Sequence, residues 1–457
     1  MRKNNPIYKR ALMLAVPMMI QNGITNMVSL VDNIMVGSQG TEAMTAVSIA
    51  SQLIFVFNLA IFGGLSGPGI YGAQYYGQHN LEGFQNTFRI KGWITTLCLI
   101  GGLLVFLLGD DTLIGLYLHG ESATVDAGLT MTFAKQYLHI MLIGLPFFVV
   151  TQVYASSLRE TGSSVKPMVA GVASVAVDVV LNYMLIYGNC GMPKLGVRGA
   201  AIATVLSQAV GAIWVIRFLT GPKTILKIRK EDMKLEGKII MPVLALGIST
   251  FVMLSTESLL SISFSSSLAR YGGDVAVGAM TVITSASQLC TLPIQGVCQG
   301  GQPVMSFNFG AGKKPRVKEA FRFQLTLCGA YTCLFWLAMM LAPGAVAGIF
   351  TSDSALISYT TWAMRIYMAG IFAMGFQIAC QQSFMALGQA KVSLLLACLR
   401  KIILLIPLIF ILPHLVAAPV FGVFLAEPVS DILAATITTI TFFARFDRIL
   451  EKGAARV

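Results

Sequence analysis

Charged residues are scarce in this sequence. Asp, Glu, Lys and Arg make up only 11% of its 457 residues, while 56% are hydrophobic and the mean hydropathy is +0.75. A soluble protein of this length needs far more polar surface, so the composition predicts a polytopic membrane protein in a lipid bilayer. The 32 basic residues exceed the 20 acidic ones and leave a net charge of +12. They lie in short loops between apolar stretches, as membrane topology requires, so we expect no nucleic-acid partner.

Cysteine and histidine patterns typical of metal or redox sites are also missing. The eight cysteines lie mostly inside apolar stretches without metal or redox spacing, and the four histidines are scattered. The glycine-rich stretch before Lys313 and Lys314 lacks the spacing of a phosphate-binding P-loop, because Phe307 stands where that motif needs glycine. We therefore expect no cofactor and no ATP hydrolysis, so an ion gradient has to supply any energy that the protein uses.

Twelve apolar stretches of about 20 residues or more divide the chain, and each is long enough for one membrane crossing. None alternates with the period of a barrel strand, and backbone groups in hydrocarbon need hydrogen-bonding partners inside their own segment. The sequence therefore predicts an all-α polytopic membrane protein with twelve transmembrane helices. The predicted spans are 11–36, 46–71, 92–109, 131–157, 165–187, 197–219, 239–268, 275–304, 323–346, 357–386, 392–413 and 418–444.

The distribution of basic residues predicts the topology. When the loops are assigned alternately to the two sides, most of the 32 Lys and Arg residues fall on the side that holds both termini. The exceptions are Lys135, Lys194, Arg198 and Arg270 on the other side, and Arg365, Arg400 and Lys401 inside spans. The positive-inside rule then places both termini in the cytoplasm.

The two halves of the chain resemble each other. Pro17 begins an apolar stretch that reaches a single carboxylate at Asp32, and Pro242 begins one that reaches Glu257 after the same number of residues. A glycine-rich stretch and a Phe-Arg pair follow in the same order in both halves. Because six spans separate the copies, the pseudo-two-fold axis relating two six-helix lobes lies along the membrane normal. The predicted domains are the lobes 1–220 and 239–457 and a basic cytoplasmic linker at 221–238.

Four oxygen-bearing side chains of the first half are predicted at similar depth. Asp32 lies in the outer part of the first span, and Asp178 and Asn182, four residues apart, share one face of the fifth. Thr204 on the sixth span reaches the same level. An acid inside a spanning helix costs ~3 kcal/mol and is a functional candidate. These oxygens suit a small hard cation such as Na⁺, and the paired carboxylates suit a shared proton; Asn182 and Thr204 have the alternative of joining helices only.

The second half carries a different polar set. Glu257 lies on the seventh span, and Glu427 and Asp431 are four residues apart on the twelfth. Arg365 and Arg400 are candidate counter-charges, and ion pairing without a transport role is the alternative. The remaining candidates for substrate contact or helix bridging are Gln377, Gln381 and Gln382 on the tenth span.

Several motifs together resemble the MATE (multidrug and toxic compound extrusion) transporters over essentially the whole chain. In the first half they are the helix 17–37, which ends LVDNIMVG, the run DVVLN at 178–182, and GVRGAAIATVLSQ at 196–208. In the second half they are SFNFGAGK at 306–313, FMALGQAK at 384–391 and FLAEPVSD at 424–431. The last two are similar to a MepA-like branch of that family.

The resemblance implies a two-lobed antiporter that exports amphipathic, often cationic drugs in exchange for H⁺ or Na⁺ by alternating access. It implies a cation site at Asp32, Asp178, Asn182 and Thr204, in which the Asp and Asn of helix five are exchanged relative to other members. It matches Glu257 to a helix-seven Glu of other members, whose helix-ten Asp is absent here. Asp32 is then expected to couple the ion and Glu257 to attract cationic substrate.

Two other functions stay open. A flippase for lipid-linked saccharides in the same broad superfamily would line its cleft with several arginines for phosphate groups, and this chain offers few intramembrane cations. A membrane-embedded enzyme would need a nucleophile–base pair or a metal cluster, and the sequence contains neither. We therefore expect a monomeric transporter without enzymatic activity in the bacterial cytoplasmic membrane.

Overall fold

The protein is described by a computed structural model over residues 7–118, 126–219, 237–351 and 353–454. Within those ranges the chain is almost entirely helical and has no β-strand. Its α-helices are α1 (Ile7–Gly37), α2 (Thr41–Gly77), α3 (Leu81–Leu118), α4 (Ala127–Glu160), α5 (Val165–Tyr187), α6 (Val197–Leu219), α7 (Gly237–Gly310), α8 (Lys314–Leu341), α9 (Pro343–Phe350), α10 (Ser354–Tyr367), α11 (Ile371–Ala386), α12 (Ala390–Cys398), α13 (Ile406–Leu415) and α14 (Pro419–Ala454). A 3₁₀ turn at Met368–Gly370 precedes α11, and a π-helix at Leu399–Leu405 joins α12 to α13.

The predicted number of membrane crossings is confirmed. Ten helical segments of the described chain are long and apolar enough to cross a membrane, and α10 with α11 and α12 with α13 each count as one. Another is α7, whose 74 residues Gly273 divides into two crossings. Gly273 has φ 64° and ψ −162°, a backbone conformation that is essentially confined to glycine. With this division and with α1, which is 31 residues long, the described residues contain twelve helical segments of membrane-spanning length.

The helix ends repeat between the two halves. One helix ends at Gly77 and its counterpart at Gly310, and the following helices begin at Leu81 and Lys314. The middle residue of each three-residue turn has left-handed backbone, with φ 60° at His79 and φ 67° at Gly312. The predicted internal repeat therefore extends to the geometry of the turns.

The chain packs as two compact units, each with its own hydrophobic core. The first unit comprises Ile20–Gly72 and the described part of Leu81–Val243, and the second comprises the described parts of Met1–Met19 and Leu244–Val457 together with Ala73–Asn80. Fully buried Ile61, Ile114 and Leu138 join α2, α3 and α4 in the core of the first unit. The predicted lobe boundaries stay a prediction, since the linker 221–238 lies almost entirely outside the described residues.

Glycines allow close helix packing inside the second unit. A Cβ atom at Gly310 would lie 2.7 Å from the Cα of Gln74, and one at Gly300 would lie 2.5 Å from the Cα of Ala15. The Gln74 side chain also donates from Nε2 to the Ala386 carbonyl oxygen over 3.1 Å. The start of α1 and the end of α2 are therefore held against α7 and α11 by backbone-level contacts.

Candidate functional site

The structure brings the four first-half candidates together from three helices. Asp32 lies near the C-terminal end of α1, Asp178 and Asn182 lie one turn apart on α5, and Thr204 lies on α6. The Nδ2 atom of Asn182 donates to Oδ1 of Asp32 over 2.8 Å. Asp178 lies close to both Asp32 and Thr204. All four belong to the first compact unit.

Two oxygen atoms of this cluster are buried without a hydrogen-bond partner. They are Oδ1 of Asp178 and Oδ1 of Asn182, and these two residues are only 7% and 1% exposed, respectively. A buried oxygen without a partner costs about 1–3 kcal/mol, more for a charged group. A cation or a proton at this position removes that cost, so the unpaired oxygens fit the predicted ion site.

The electrostatics of the cluster also favour a bound positive charge. Asp32 and Asp178 are close enough to interact directly. Two unit charges about 4 Å apart repel by about 4 kcal/mol at an effective dielectric constant near 20. The pair is therefore stable with a metal cation between the carboxylates or with a proton on one of them.

Sequence reasoning missed three neighbours of this site. The buried Tyr137 phenol of α4 lies close to Thr204 and to Ser51 of α2, and Ser207 lies close to Asp178. Ser207 follows Thr204 by three residues on α6, so helical spacing was enough to find it. Tyr137 and Ser51 carry no such signal, because α4 and α2, on which they lie, contribute no other candidate residue to the site.

The second half forms a separate charge cluster around the π-helix. Arg400 donates from Nε to Oδ1 of Asp431 over 2.8 Å, and its terminal nitrogen lies 3.0 Å from Oε1 of Glu427. Lys401 places Nζ 2.5 Å from Oε1 of Glu257 and 2.8 Å from the Met253 carbonyl oxygen. Consecutive basic residues thus bind acids of two different helices, α14 and α7. Such a widened helical turn is frequent at functional sites.

The sequence assigned the counter-charges of this cluster only in part. Arg400 pairs with acids as predicted, but Arg365, the other candidate, is exposed on α10. The sequence predicts Lys401 inside a span without a partner, and in the structure Lys401 pairs with Glu257. The Oε2 atom of Glu427 is buried and has no hydrogen-bond partner in the described chain.

One of the three glutamines of α11 joins two helices. Gln381 donates from Nε2 to the Ser393 carbonyl oxygen over 3.4 Å, which links α11 to α12. Gln377 is buried and its Nε2 lies 3.5 Å from Oε1 of Gln381, while Gln382 is partly buried. The structure thus favours helix bridging for Gln381, one of the two roles predicted for it.

A third charged cluster lies in the first unit, away from the predicted sites. Lys91, predicted as a loop residue just before the third span, is fully buried within α3 and forms an ion pair with Glu160 at the end of α4. Its Nζ also donates to Ser156 over 3.2 Å and to Ser157 over 3.1 Å. The topology prediction counts Lys91 on the cytoplasmic side, and the structure adds that its charge is paired with Glu160 inside the first unit.

Comparison with known proteins assigns the family. The family model MatE matches residues 17–184 and 249–411, which is well over half of the chain. The chain belongs to the MatE family. Its relatives include the multidrug export protein MepA of Staphylococcus aureus strain N315, 23% identical over 445 residues that cover 95% of this chain and 94% of that protein. MepA of Staphylococcus saprophyticus is 22% identical over 439 residues, with the same two coverages.

Solved structures share the fold at low sequence identity. A crystal structure of MATE in the bent conformation matches with a TM-score of 0.90 and 21% identity, covering 98% of both chains. A MOP superfamily transporter from Pyrococcus furiosus, described by the reverse polarity of its binding pocket, matches with a TM-score of 0.87 and 21% identity over 97% of both chains. The predicted family, its MepA-like character and the all-α two-lobed fold are confirmed. The protein is a multi-pass membrane transporter and not an enzyme.

Proposed function

We propose that this protein is a multidrug antiporter that exports amphipathic, often cationic drugs in exchange for H⁺ or Na⁺. The observation that carries the proposal is the first-unit cluster, in which Asp32, Asp178 and Asn182 converge and two buried oxygens lack partners. The export of drugs is taken from the MepA relatives, which match nearly the whole chain.

Each residue of the cluster has a distinct role in holding the ion. The carboxylates of Asp32 and Asp178 supply the negative charge, and the amide of Asn182 fixes Asp32 through its Nδ2 while leaving its own oxygen unpaired. The Thr204 hydroxyl, which donates to the Ala200 carbonyl oxygen over 3.1 Å, has lone pairs left for a cation. Bound Na⁺ or a bound proton removes the repulsion between the two carboxylates, and release of the ion restores that repulsion.

Coupling follows if drug and ion favour different states of the transporter. An ion that stabilises one state and a drug that stabilises the other lower each other's affinity by the same factor, because coupling free energies are reciprocal. The ion gradient then drives export, by alternating access between the two predicted lobes.

Glu257 is proposed to attract cationic drugs. Its side chain is 63% exposed, whereas Lys401, its ion-pair partner, is only 10% exposed. A cationic drug thus reaches the open side of the carboxylate while Lys401 stays on the other. Glu427, Asp431, Gln377 and Arg400 complete the second-half set that we propose for substrate or ion recognition.

A lipid-linked saccharide flippase is the weaker candidate. Phosphate groups need several unpaired basic side chains, but of the three cations predicted inside spans Arg400 and Lys401 bind carboxylates and Arg365 alone is exposed. We further propose a monomer in the bacterial cytoplasmic membrane, with both termini in the cytoplasm.

The test is ethidium efflux from proteoliposomes under a pH gradient or a Na⁺ gradient, imposed one at a time. At least one gradient should drive efflux by the wild type. Asp32→Asn should abolish it, whereas Asp111→Asn, at an exposed acid of the same unit, should not. Efflux by Asp32→Asn at the wild-type rate would exclude the proposed coupling site.

The role of Glu257 is tested with paired substrates in the same proteoliposomes. Glu257→Gln should slow the efflux of cationic drugs far more than that of neutral ones, while gradient-driven ion movement persists. If Glu257→Gln stops ion movement for every substrate and Asp32→Asn leaves it intact, the second-half acids are the coupling site instead.

A further inference from the structure

The second-half cluster carries one more acid than base. Three carboxylates, those of Glu257, Glu427 and Asp431, face two basic side chains, Arg400 and Lys401. With every group ionised, one negative charge is left over. The side chains of Glu427, Asp431 and Arg400 are at most 12% exposed, so water screens this surplus charge poorly.

The contacts locate the surplus charge on Glu427. Lys401 is held by Glu257 and the Met253 carbonyl oxygen. Arg400 binds Oδ1 of Asp431 with two of its nitrogens, at 2.7 and 2.8 Å, and meets Glu427 only through Oε1 at 3.0 Å. The Oε2 atom of Glu427 is buried without a hydrogen-bond partner in the described chain.

A metal cation suits this position poorly. Cations such as Ca²⁺ and Mg²⁺ need six or more oxygen ligands, but Arg400 already occupies one oxygen each of Glu427 and Asp431. The guanidinium group would also repel a second cation. A proton needs a single oxygen, and Oε2 of Glu427 is available.

We propose that the second compact unit contains a proton-binding site at the Glu427 carboxyl group, separate from the cation site of the first unit. A proton on Oε2 leaves two balanced ion pairs, Arg400 with Asp431 and Lys401 with Glu257. The charged or titratable groups facing Glu427 are Asp431 on its own helix, Arg400 and Lys401 on the π-helix, Glu257 on α7 and Tyr367 on α10. The existence of the site does not depend on the proposed antiport, whereas its use in transport does.

The experiment is infrared difference spectroscopy of the purified full-length protein in lipid nanodiscs, with buffers of rising pH. The starting variant is Asp32→Asn with Asp178→Asn, which removes both acids of the first-unit site. Its spectrum should contain a protonated-carboxyl carbonyl band that disappears as the pH rises, and adding Glu427→Gln should remove that band from the difference spectrum. Exchange of K⁺ for Na⁺ should leave the band unchanged.

Three results would overturn the proposal: no such band, a band that persists with Glu427→Gln, or a band that Na⁺ abolishes. Glu427→Gln keeps an oxygen acceptor for Arg400, and a melting curve checks its folding. Lys401→Met provides a second measurement that keeps Glu427, since it removes one positive charge and should move the loss of the band to higher pH. A loss at unchanged or lower pH contradicts the proposal.

The infrared result and the efflux result are independent. The infrared measurement uses a protein that already lacks the first-unit acids, so failure of the Glu427 site leaves the efflux test of Asp32 intact. Conversely, if Asp32→Asn exports ethidium at the wild-type rate, the infrared band expected for Glu427 is still predicted.

Discussion

Ion binding to the first-unit cluster should raise the melting temperature of the protein, which tests the site without any drug. A ligand that binds only the folded state stabilises it by about 2.7 kcal/mol at a concentration of 100 times its Kd. For a chain of this size each kcal/mol moves the melting temperature by about 2 °C, so we expect an increase of about 5 °C.

Asp32→Asn should remove most of that increase. Asp32 is one of two carboxylates in the cluster and accepts the hydrogen bond of Asn182. Removing one member of a buried charge pair costs about 2–5 kcal/mol, and 2 kcal/mol already weakens binding about 30-fold. The same ion concentration is then about three times the Kd, the stabilisation falls to about 0.8 kcal/mol, and the melting temperature rises by less than about 2 °C.

The assay compares melting curves of wild type, Asp32→Asn, Asp178→Asn and the exposed control Asp111→Asn. Na⁺ replaces an inert organic cation at constant ionic strength in one series, and the pH falls in the absence of Na⁺ in the other. Protonation at other sites changes the melting temperature of all variants equally. The part of the increase in melting temperature that wild type and Asp111→Asn show and Asp32→Asn lacks therefore comes from the first-unit site. Equal increases in all four proteins with both ions would refute the site.

Three further predictions concern other parts of the molecule. Lys91→Met should lower the free energy of unfolding by about 3–5 kcal/mol, because it leaves the Glu160 carboxylate buried without its lysine partner. Adding Glu160→Gln should restore most of the lost stability. A double variant that melts at a lower temperature than Lys91→Met would contradict this prediction. Gly310→Ala should lower the melting temperature, because the added methyl group overpacks against Gln74 and costs about 1–3 kcal/mol of stability. Gly92→Ala, with open space around its Cβ, should leave the melting temperature unchanged. Equal melting temperatures of the two variants would show that α2 moves to accommodate the methyl group at residue 310. An impermeant maleimide added to intact cells should label the exposed Cys190 in the turn between α5 and α6, and labelling of a tag at either terminus instead would reverse the proposed topology.

The fold was predictable because long apolar stretches leave the chain few alternatives. Backbone groups in hydrocarbon must be satisfied within a helix, so the spans follow from composition and length. Even the division of the 74-residue α7 was predicted, since the polar residues near Gly273 interrupt the apolar stretch there. The burial of Lys91 was not, because a basic residue near a span end has the same sequence pattern whether it is solvated or paired with Glu160.

The candidate site was predictable where residues share a helix and less so where they meet across helices. The four-residue spacing of Asp178 and Asn182 places both on one face of α5, and helical rise predicts Asp32 of α1 at a similar depth; the structure adds the hydrogen bond from Asn182 to Asp32. The pairing of Lys401 with Glu257 depends instead on the π-helix, which sets the direction of two consecutive basic side chains. The sequence of the stretch Leu399–Leu405 contains no pattern that predicts a π-helix.

The two halves place an acid at matching positions but compensate it differently. Asp32 receives a neutral amide hydrogen bond from Asn182, which leaves its negative charge in place, whereas Glu257 is paired with a lysine. An external cation therefore gains more at Asp32 than at Glu257, where it competes with a positive charge that the chain already supplies. The partner of each acid is therefore our reason for proposing the ion-coupling site in the first half, whereas the attraction proposed for Glu257 is weaker and acts on the exposed side of its carboxylate.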